Sequence, residues 1–229
     1  VTVTQNLARV RADIDDACLS AGRDPGEVRL LPVSKYHDAA AIREAHAAGY
    51  VLFGENKVQE LVAKADELGP EGIGFAVIGH VQTNKARDVA RVATEVQSLD
   101  SLRLAEALQR RLEAADRRLP VLVQVNTSGE SAKSGIRPDE AVEVARALSS
   151  FDRLDARGLM TMAVNSPDEG EVAACFRLLV DAQARIRDAV GGGWDELSMG
   201  MSGDFRVAIR EGSTCVRIGT AIFGPRPAA

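Results

Sequence analysis

Pro120-Val-Leu-Val-Gln-Val125 decides how the rest of the chain is read. It is an apolar run with proline only at its entrance, the pattern of a buried strand. A charged stretch of helical period, residues 101–118, precedes it, and the polar run Asn126-Thr-Ser-Gly-Glu-Ser-Ala-Lys-Ser-Gly135 follows. Upstream the alternation repeats. Arg29-Leu-Leu-Pro-Val33 leads into a helical stretch at 38–48, and Tyr50-Val-Leu-Phe53 into one at 56–68. Phe75-Ala-Val-Ile78 and Glu95-Val-Gln-Ser-Leu99 flank a helix at 83–92. Downstream come Gly158-Leu-Met-Thr-Met162, Glu196-Leu-Ser-Met199 and Cys215-Val-Arg-Ile218, with helices near 138–148, 168–190 and 205–211.

About eight strands, each followed by a helix, imply parallel pairing through βαβ crossovers. A closed (β/α)8 TIM barrel typically takes about 250 residues, and this chain has 229. The rival is an open doubly wound sheet. Its dinucleotide-binding form is disfavoured, because the first strand runs into Ser34-Lys35-Tyr36 and not a glycine-rich turn. The fold expected is therefore α/β, a single (β/α)8 barrel over 1–229. An added N-terminal helix at about 2–21 is marked by Leu7, Val10, Ile14, Ala17 and Cys18 at helical spacing. Gly191-Gly-Gly193 reads as a helix stop before the seventh strand.

Composition narrows the function. With 28 Lys+Arg against 33 Asp+Glu and a net charge of -5, the chain lacks the basic footprint of a nucleic-acid binder. No apolar run is long enough to cross a bilayer, and residues 1–20 carry no signal-peptide core, so neither membrane nor secretion is expected. Cys18, Cys175 and Cys215 are far apart and form no C-x-x-C pair, which suits buried free thiols and a cytoplasmic location. No large apolar patch can be argued from the pattern, so a monomer is expected.

In such a barrel the chemistry sits at the carboxyl ends of the strands. Lys35 ends the first strand, where partial desolvation exposes a nucleophilic amine able to condense with a carbonyl; the alternative is a lysine that snorkels to solvent. Asn56 follows Phe53-Gly-Glu, and His80 with Thr83 follows Ile78-Gly. Asn56 and Thr83 could equally cap helices, and His80 has no carboxylate partner visible in the sequence. The polar run after the fifth strand carries Lys133 and reads as a mobile rim, without the residue order of a P-loop. Ser198-Met-Gly-Met-Ser-Gly203 and Arg217-Ile-Gly-Thr220 follow or span the last two strands. Ser202 and Thr220 offer hydroxyls, and Gly203 and Gly219 let the backbone approach an anion, a phosphate-site pattern that tight seam packing would also use. A strand-end lysine with a distant phosphate cup calls for an aldehyde-bearing phosphate. Pyridoxal phosphate (PLP) meets both demands, as does the sugar-phosphate carbonyl of a Schiff-base aldolase.

On these residues the chain resembles the pyridoxal phosphate homeostasis proteins, which are similar to the N-terminal barrel of alanine racemase. The shared blocks span nearly the whole chain: Val33-Ser-Lys35, Phe53-Gly-Glu-Asn56, Ile78-Gly-His80 with Gln82-Thr-Asn-Lys85, Lys133-Ser-Gly135, Gly158-Leu-Met160, Ser198-Met-Gly-Met-Ser202 and Val216 through Gly224. The resemblance implies that Lys35 carries PLP as a covalent aldimine. It further implies that Ser202, Gly219 and Thr220 hold the phosphate, that Arg217 faces the pyridine nitrogen, and that Asn56 belongs to the pocket. Met160 and Ser198 are carried over from the neighbouring strand ends. It implies a role in intracellular PLP homeostasis (storage, buffering or delivery), with PLP-dependent apo-enzymes as recipients and no catalytic residue or metal. Lys133 and Lys85 stand as rim amines that could share in release.

A PLP-dependent racemase of truncated architecture is the enzyme alternative. Racemases add a β-rich domain that supplies a tyrosine base, whereas this sequence closes at Pro227-Ala-Ala229 and has only Tyr36 and Tyr50. Removing and returning a proton on opposite faces of a carbon needs two opposed acid–base groups. The residues offer one lysine and no evident opposite partner. A carrier is therefore the expected function.

Overall fold

The computed structural model describes residues 1–225; residues 226–229, including the expected close of the domain, lie outside the described residues. Eight strands form one sheet: β1 (Arg29–Pro32), β2 (Leu52–Glu55), β3 (Gly74–Val77), β4 (Glu95–Leu99), β5 (Leu119–Gln124), β6 (Leu154–Met160), β7 (Glu196–Ser198) and β8 (Cys215–Ile218). All pair in parallel, in the order β1-β8-β7-β6-β5-β4-β3-β2. The ring closes between β1 and β2 by a single parallel bridge, Val33 to Gly54, where Ser34 N donates to Gly54 O at 3.1 Å. This is the (β/α)8 barrel the sequence rhythm predicts.

The helices are α1 (Val3–Ser20), α2 (Ala39–Ala47), α3 (Val58–Leu68), α4 (Ala86–Val92), α5 (Leu102–Ala114), α6 (Ala141–Leu148), α7 (Glu169–Val190), α8 (Phe205–Arg210) and α9 (Thr220–Phe223). The longer helices bury a stripe at helical spacing; α5 turns Leu104, Ala105, Leu108 and Leu112 inward. The extra helix α1 starts at a capping box, in which Thr2 Oγ1 accepts from Gln5 N and Gln5 Oε1 from Thr2 N. Its Asn6 Nδ2 donates to Ile222 O at 2.8 Å, tying α1 to α9.

Two cores result. The larger lies between strands and helices, with Phe53, Phe75 and Phe176 among its largest buried side chains. Inside the ring, Leu31, Ala76 and Cys215 pack with Leu52 and Ile78. The rest of the lumen is polar. Arg29 Nη2 donates to Glu95 Oε1 and Glu196 Oε2, each at 2.8 Å, and Gln97 Nε2 donates to Glu95 Oε1 at 2.6 Å. Ser198 Oγ donates to Gln97 Oε1 at 2.6 Å and accepts from Arg217 Nη1 at 2.7 Å. A hydrogen-bonded column thus runs along the barrel from the start of β1 to the end of β8. The three thiols are free and buried, as expected. No described helix is long and apolar enough to cross a membrane.

Candidate functional site

A cavity of about 580 Å³ opens at the carboxyl ends of the strands. Of the eight residues the resemblance assigns to the cofactor, six line it: Lys35, Asn56, Ser202, Arg217, Gly219 and Thr220; His80, Lys133 and Gly203 line it too. The barrel register brings them together. β1 and β8 are neighbours, with Leu31 opposite Arg217 and Pro32 opposite Ile218, so Lys35 and the Gly219-Thr220 turn leave adjoining strands. Among the described residues no hydrogen bond or ion pair engages the Lys35 amine.

Arg217 is 4% exposed and donates to Ser198 Oγ and, at 2.8 Å, to Thr161 O. No described carboxylate lies within ion-pairing distance of it. Burial pulls its pKa below the usual guanidinium value, and Asp204 opposes that shift. An unneutralised cation lining a cavity favours a ligand with an acceptor atom or negative charge there. Beside it, Ser202 and Gly203 follow β7 while Gly219 caps α9 and Thr220 begins it. The opening N–H groups of that turn have no partner within it. A Cβ on Gly219 would stand 3.0 Å from Val33 O, so a side chain there would need the β1 backbone to give by a few tenths of an ångström.

Met160 and Ser198 do not line the cavity. Met160 is fully buried at the end of β6, and the lining residue is Met162, two positions on. Ser198 is fully buried behind the wall as acceptor for Arg217. The capping roles considered for Asn56 and Thr83 are not realised. Lys57 is the N-cap residue of α3 and Gln82 that of the turn Thr83–Lys85, neither with a side-chain cap bond. Lys133 lines the rim, where its Nζ donates to Ala163 O at 2.9 Å and pairs with Glu130 Oε1 at 2.6 Å. Lys85 is not among the lining residues.

His80, read from the sequence without a carboxylate partner, has one. Its Nδ1 lies 2.7 Å from Asp100 Oδ2, a residue that follows β4. Adjacent barrel strands deliver the pair across twenty positions of sequence, a separation no local motif reveals. His37, Gln124 and Gly79 also line the cavity without having been singled out. Among the described residues no cluster of His, Cys, Asp and Glu could hold a metal ion.

Residues 6–227 match the family model described as "Alanine racemase, N-terminal domain". The pyridoxal phosphate homeostasis protein of Pseudomonas aeruginosa is 43% identical, covering 98% of this chain and 96% of its own length. The structure of PipY from Synechococcus elongatus PCC7942, solved with PLP bound, superposes with a TM-score of 0.85 at 34% identity, over 97% of this chain and all of that one. Alanine racemase of Clostridium difficile shares the fold, with a TM-score of 0.75 at 14% identity, over 99% of this chain and 57% of its own.

Proposed function

The chain belongs to the family of pyridoxal phosphate homeostasis proteins, built on the alanine racemase N-terminal barrel, and from that premise we propose how its residues hold the cofactor. It binds pyridoxal 5′-phosphate and acts in the homeostasis of that cofactor, in this reading as a carrier without robust catalysis. When bound, PLP supplies an aldehyde that condenses reversibly with amines. The residues present fit it. An unengaged amine, a buried cation without a carboxylate, two hydroxyls and a glycine-lined wall answer a ligand with an aldehyde, an acceptor nitrogen and a phosphate.

In this reading Lys35 is the covalent anchor. Ser202, Gly219 and Thr220 receive the phosphate, Arg217 faces the ring nitrogen, and Asn56 completes the wall. Ser198 and Met160 support it from behind. The observation that carries the assignment is Arg217, buried in the cavity wall and hydrogen-bonded only to the neutral acceptors Ser198 Oγ and Thr161 O. A guanidinium donates and does not accept a proton, so Arg217 leaves a ring nitrogen unprotonated and the cofactor a weak sink for carbanion electrons. That suits storage better than amino-acid chemistry. Recipients in this reading are apo-enzymes that use the same cofactor, and the working form is one cytoplasmic domain, residues 1–229, acting as a monomer.

The test begins with the protein loaded with PLP, reduced with borohydride and digested. A phosphopyridoxyl group on Lys35, lost in Lys35→Ala, is expected. An adduct elsewhere, or none, overturns the assignment. Amino acids incubated with the loaded protein should keep their configuration; sustained inversion would make it a racemase.

A further inference from the structure

The two peptide groups that flank Lys35 are both held by one ion cluster, built from Lys64 and Glu60 on α3 and Glu55 at the end of β2. Lys64 Nζ donates to Ser34 O at 2.7 Å, to Glu55 Oε1 at 2.6 Å and to Glu60 Oε1 at 2.8 Å. That uses all three ammonium donors. Glu60 Oε1 in turn accepts from Tyr36 N at 2.6 Å, and Glu55 Oε1 from Ser34 Oγ at 2.6 Å. Glu60 and Lys64 are four residues apart on one helix face, so a single turn of α3 grips the chain on both sides of Lys35.

What it grips is a strained turn. His37 N donates to Ser34 O at 3.0 Å, closing a four-residue turn with Lys35 in its second position and Tyr36 in its third. Tyr36 has φ +69°, left-handed backbone that a residue with a bulky side chain rarely adopts. Such a conformation persists only where the surroundings determine it. Here Glu60 holds the Tyr36 N–H, and Lys57 Nζ lies 5.6 Å over the Tyr36 ring. For stability alone, a buried ion cluster does no better than apolar packing of the same volume. Placed against Ser34 and Tyr36, this one does something packing could not: it fixes backbone direction. Lys64 itself is no second anchor, since it is 8% exposed, fully bonded and absent from the cavity wall.

We propose that Lys64 and Glu60 are positioning residues for Lys35, locking the 34–37 turn so that the Lys35 amine enters the cavity in one direction. This rests on Lys35 being the PLP anchor. The experiment is a cycle of Glu60→Ala and Tyr36→Gly, with Glu60→Gln as the conservative control, since its amide oxygen can still accept from Tyr36 N. Each protein is loaded with PLP and followed by equilibrium dialysis and by visible circular dichroism of the bound chromophore, which reports a fixed orientation. PLP-free protein is melted to confirm the fold.

Glu60→Ala should weaken PLP retention about tenfold and collapse the visible signal, while Glu60→Gln stays within about threefold. Glycine takes φ +69° freely. In the Tyr36→Gly background, Glu60→Ala should therefore cost less than about threefold. Equal retention and an equal visible signal in wild type and Glu60→Ala would overturn the positioning role, provided borohydride still marks Lys35 in the wild type. Absence of that mark from the wild type would overturn the site assignment itself. Should Glu60→Ala fail to fold, the double variant decides. Folding and loading like Tyr36→Gly supports the proposal, and failure to fold makes Glu60 a brace of the barrel and overturns it.

Discussion

His37 stands two residues past Lys35 and stacks on Phe223, ring centroids 5.2 Å apart. Burial first, and then the Lys64 ammonium, hold its imidazole below the ordinary value of 6.5, against a smaller pull from Asp38 and Glu60. The folded state therefore binds fewer protons on His37 than the unfolded chain does. Its contribution to stability is complete above pH 6.5 and is lost as pH falls through the depressed folded value. Urea midpoints of PLP-free protein, wild type minus His37→Asn, should fall across that window and stay flat above it; a difference that rises on acidification would refute this environment for the ring. At this scale much of the cavity lining is legible in the sequence. Lys35, Arg217, Ser202, Gly219 and Thr220 end strands or follow them, and in a barrel that position alone brings them to one face. Ser198 and Met160 share the position but not the exposure. Which strand-end side chain reaches the cavity depends on strand tilt and on a neighbour such as Arg217, and neither is written in local sequence. Asp100 escaped because its meaning lies in His80, across a strand pair.

The apolar pattern locates the elements well in kind and less well at their ends. β4 and β8 lie where the apolar pattern puts them, and Gly191, at φ 92°, ends α7 as a helix stop should. β2 is displaced two residues, from Tyr50–Phe53 to Leu52–Glu55. Val51 is apolar yet exposed, and Glu55 is charged yet fully buried, so hydrophobicity marked the wrong end. Burial pushes the Glu55 carboxyl up, while Lys64 and Ser34 hold it down, and only that support lets a strand finish on an acid. The short helix α9 follows a strand by one residue and is too brief for periodicity to show. The loop after β3 turns on Gly79, where a Cβ would stand 2.2 Å from Asn56 O. Neither backbone can yield without moving both the β2–α3 and β3–α4 connections, each of which lines the cavity. Gly79→Ala should cost about 1–3 kcal/mol of stability by overpacking and weaken PLP retention. Paired melting and dialysis would show both; an unchanged melting temperature would mean the two loops are not packed as described.

For the whole molecule, the rhythm of strands and helices is enough to choose a barrel, but the lumen is where apolar patterning fails. Glu95, Gln97, Ser198 and Arg217 are all buried in strands that a hydrophobicity rule would fill with aliphatics. Their column has a fixed donor direction. Arg217 has only donors, so Ser198 Oγ accepts from it and must spend its own proton on Gln97 Oε1, which in turn aims Gln97 Nε2 at Glu95. The orientation of the cavity's cation is thus set from deep within the barrel, and Arg29 anchors the other end between two carboxylates. A chain of this kind is coupled. Removing one member strands its neighbours, whereas removing an adjacent pair removes the unmet demand with it. Ser198→Ala and Gln97→Leu should each destabilise PLP-free protein by about 1–3 kcal/mol. The double variant should fall short of their sum by about 0.5–3 kcal/mol. Urea titrations of the four proteins, with equal denaturant slopes to confirm a common unfolded state, would measure that coupling. Strict additivity would mean that Gln97 and Ser198 act separately, and that Arg217 takes its orientation from Thr161 O alone.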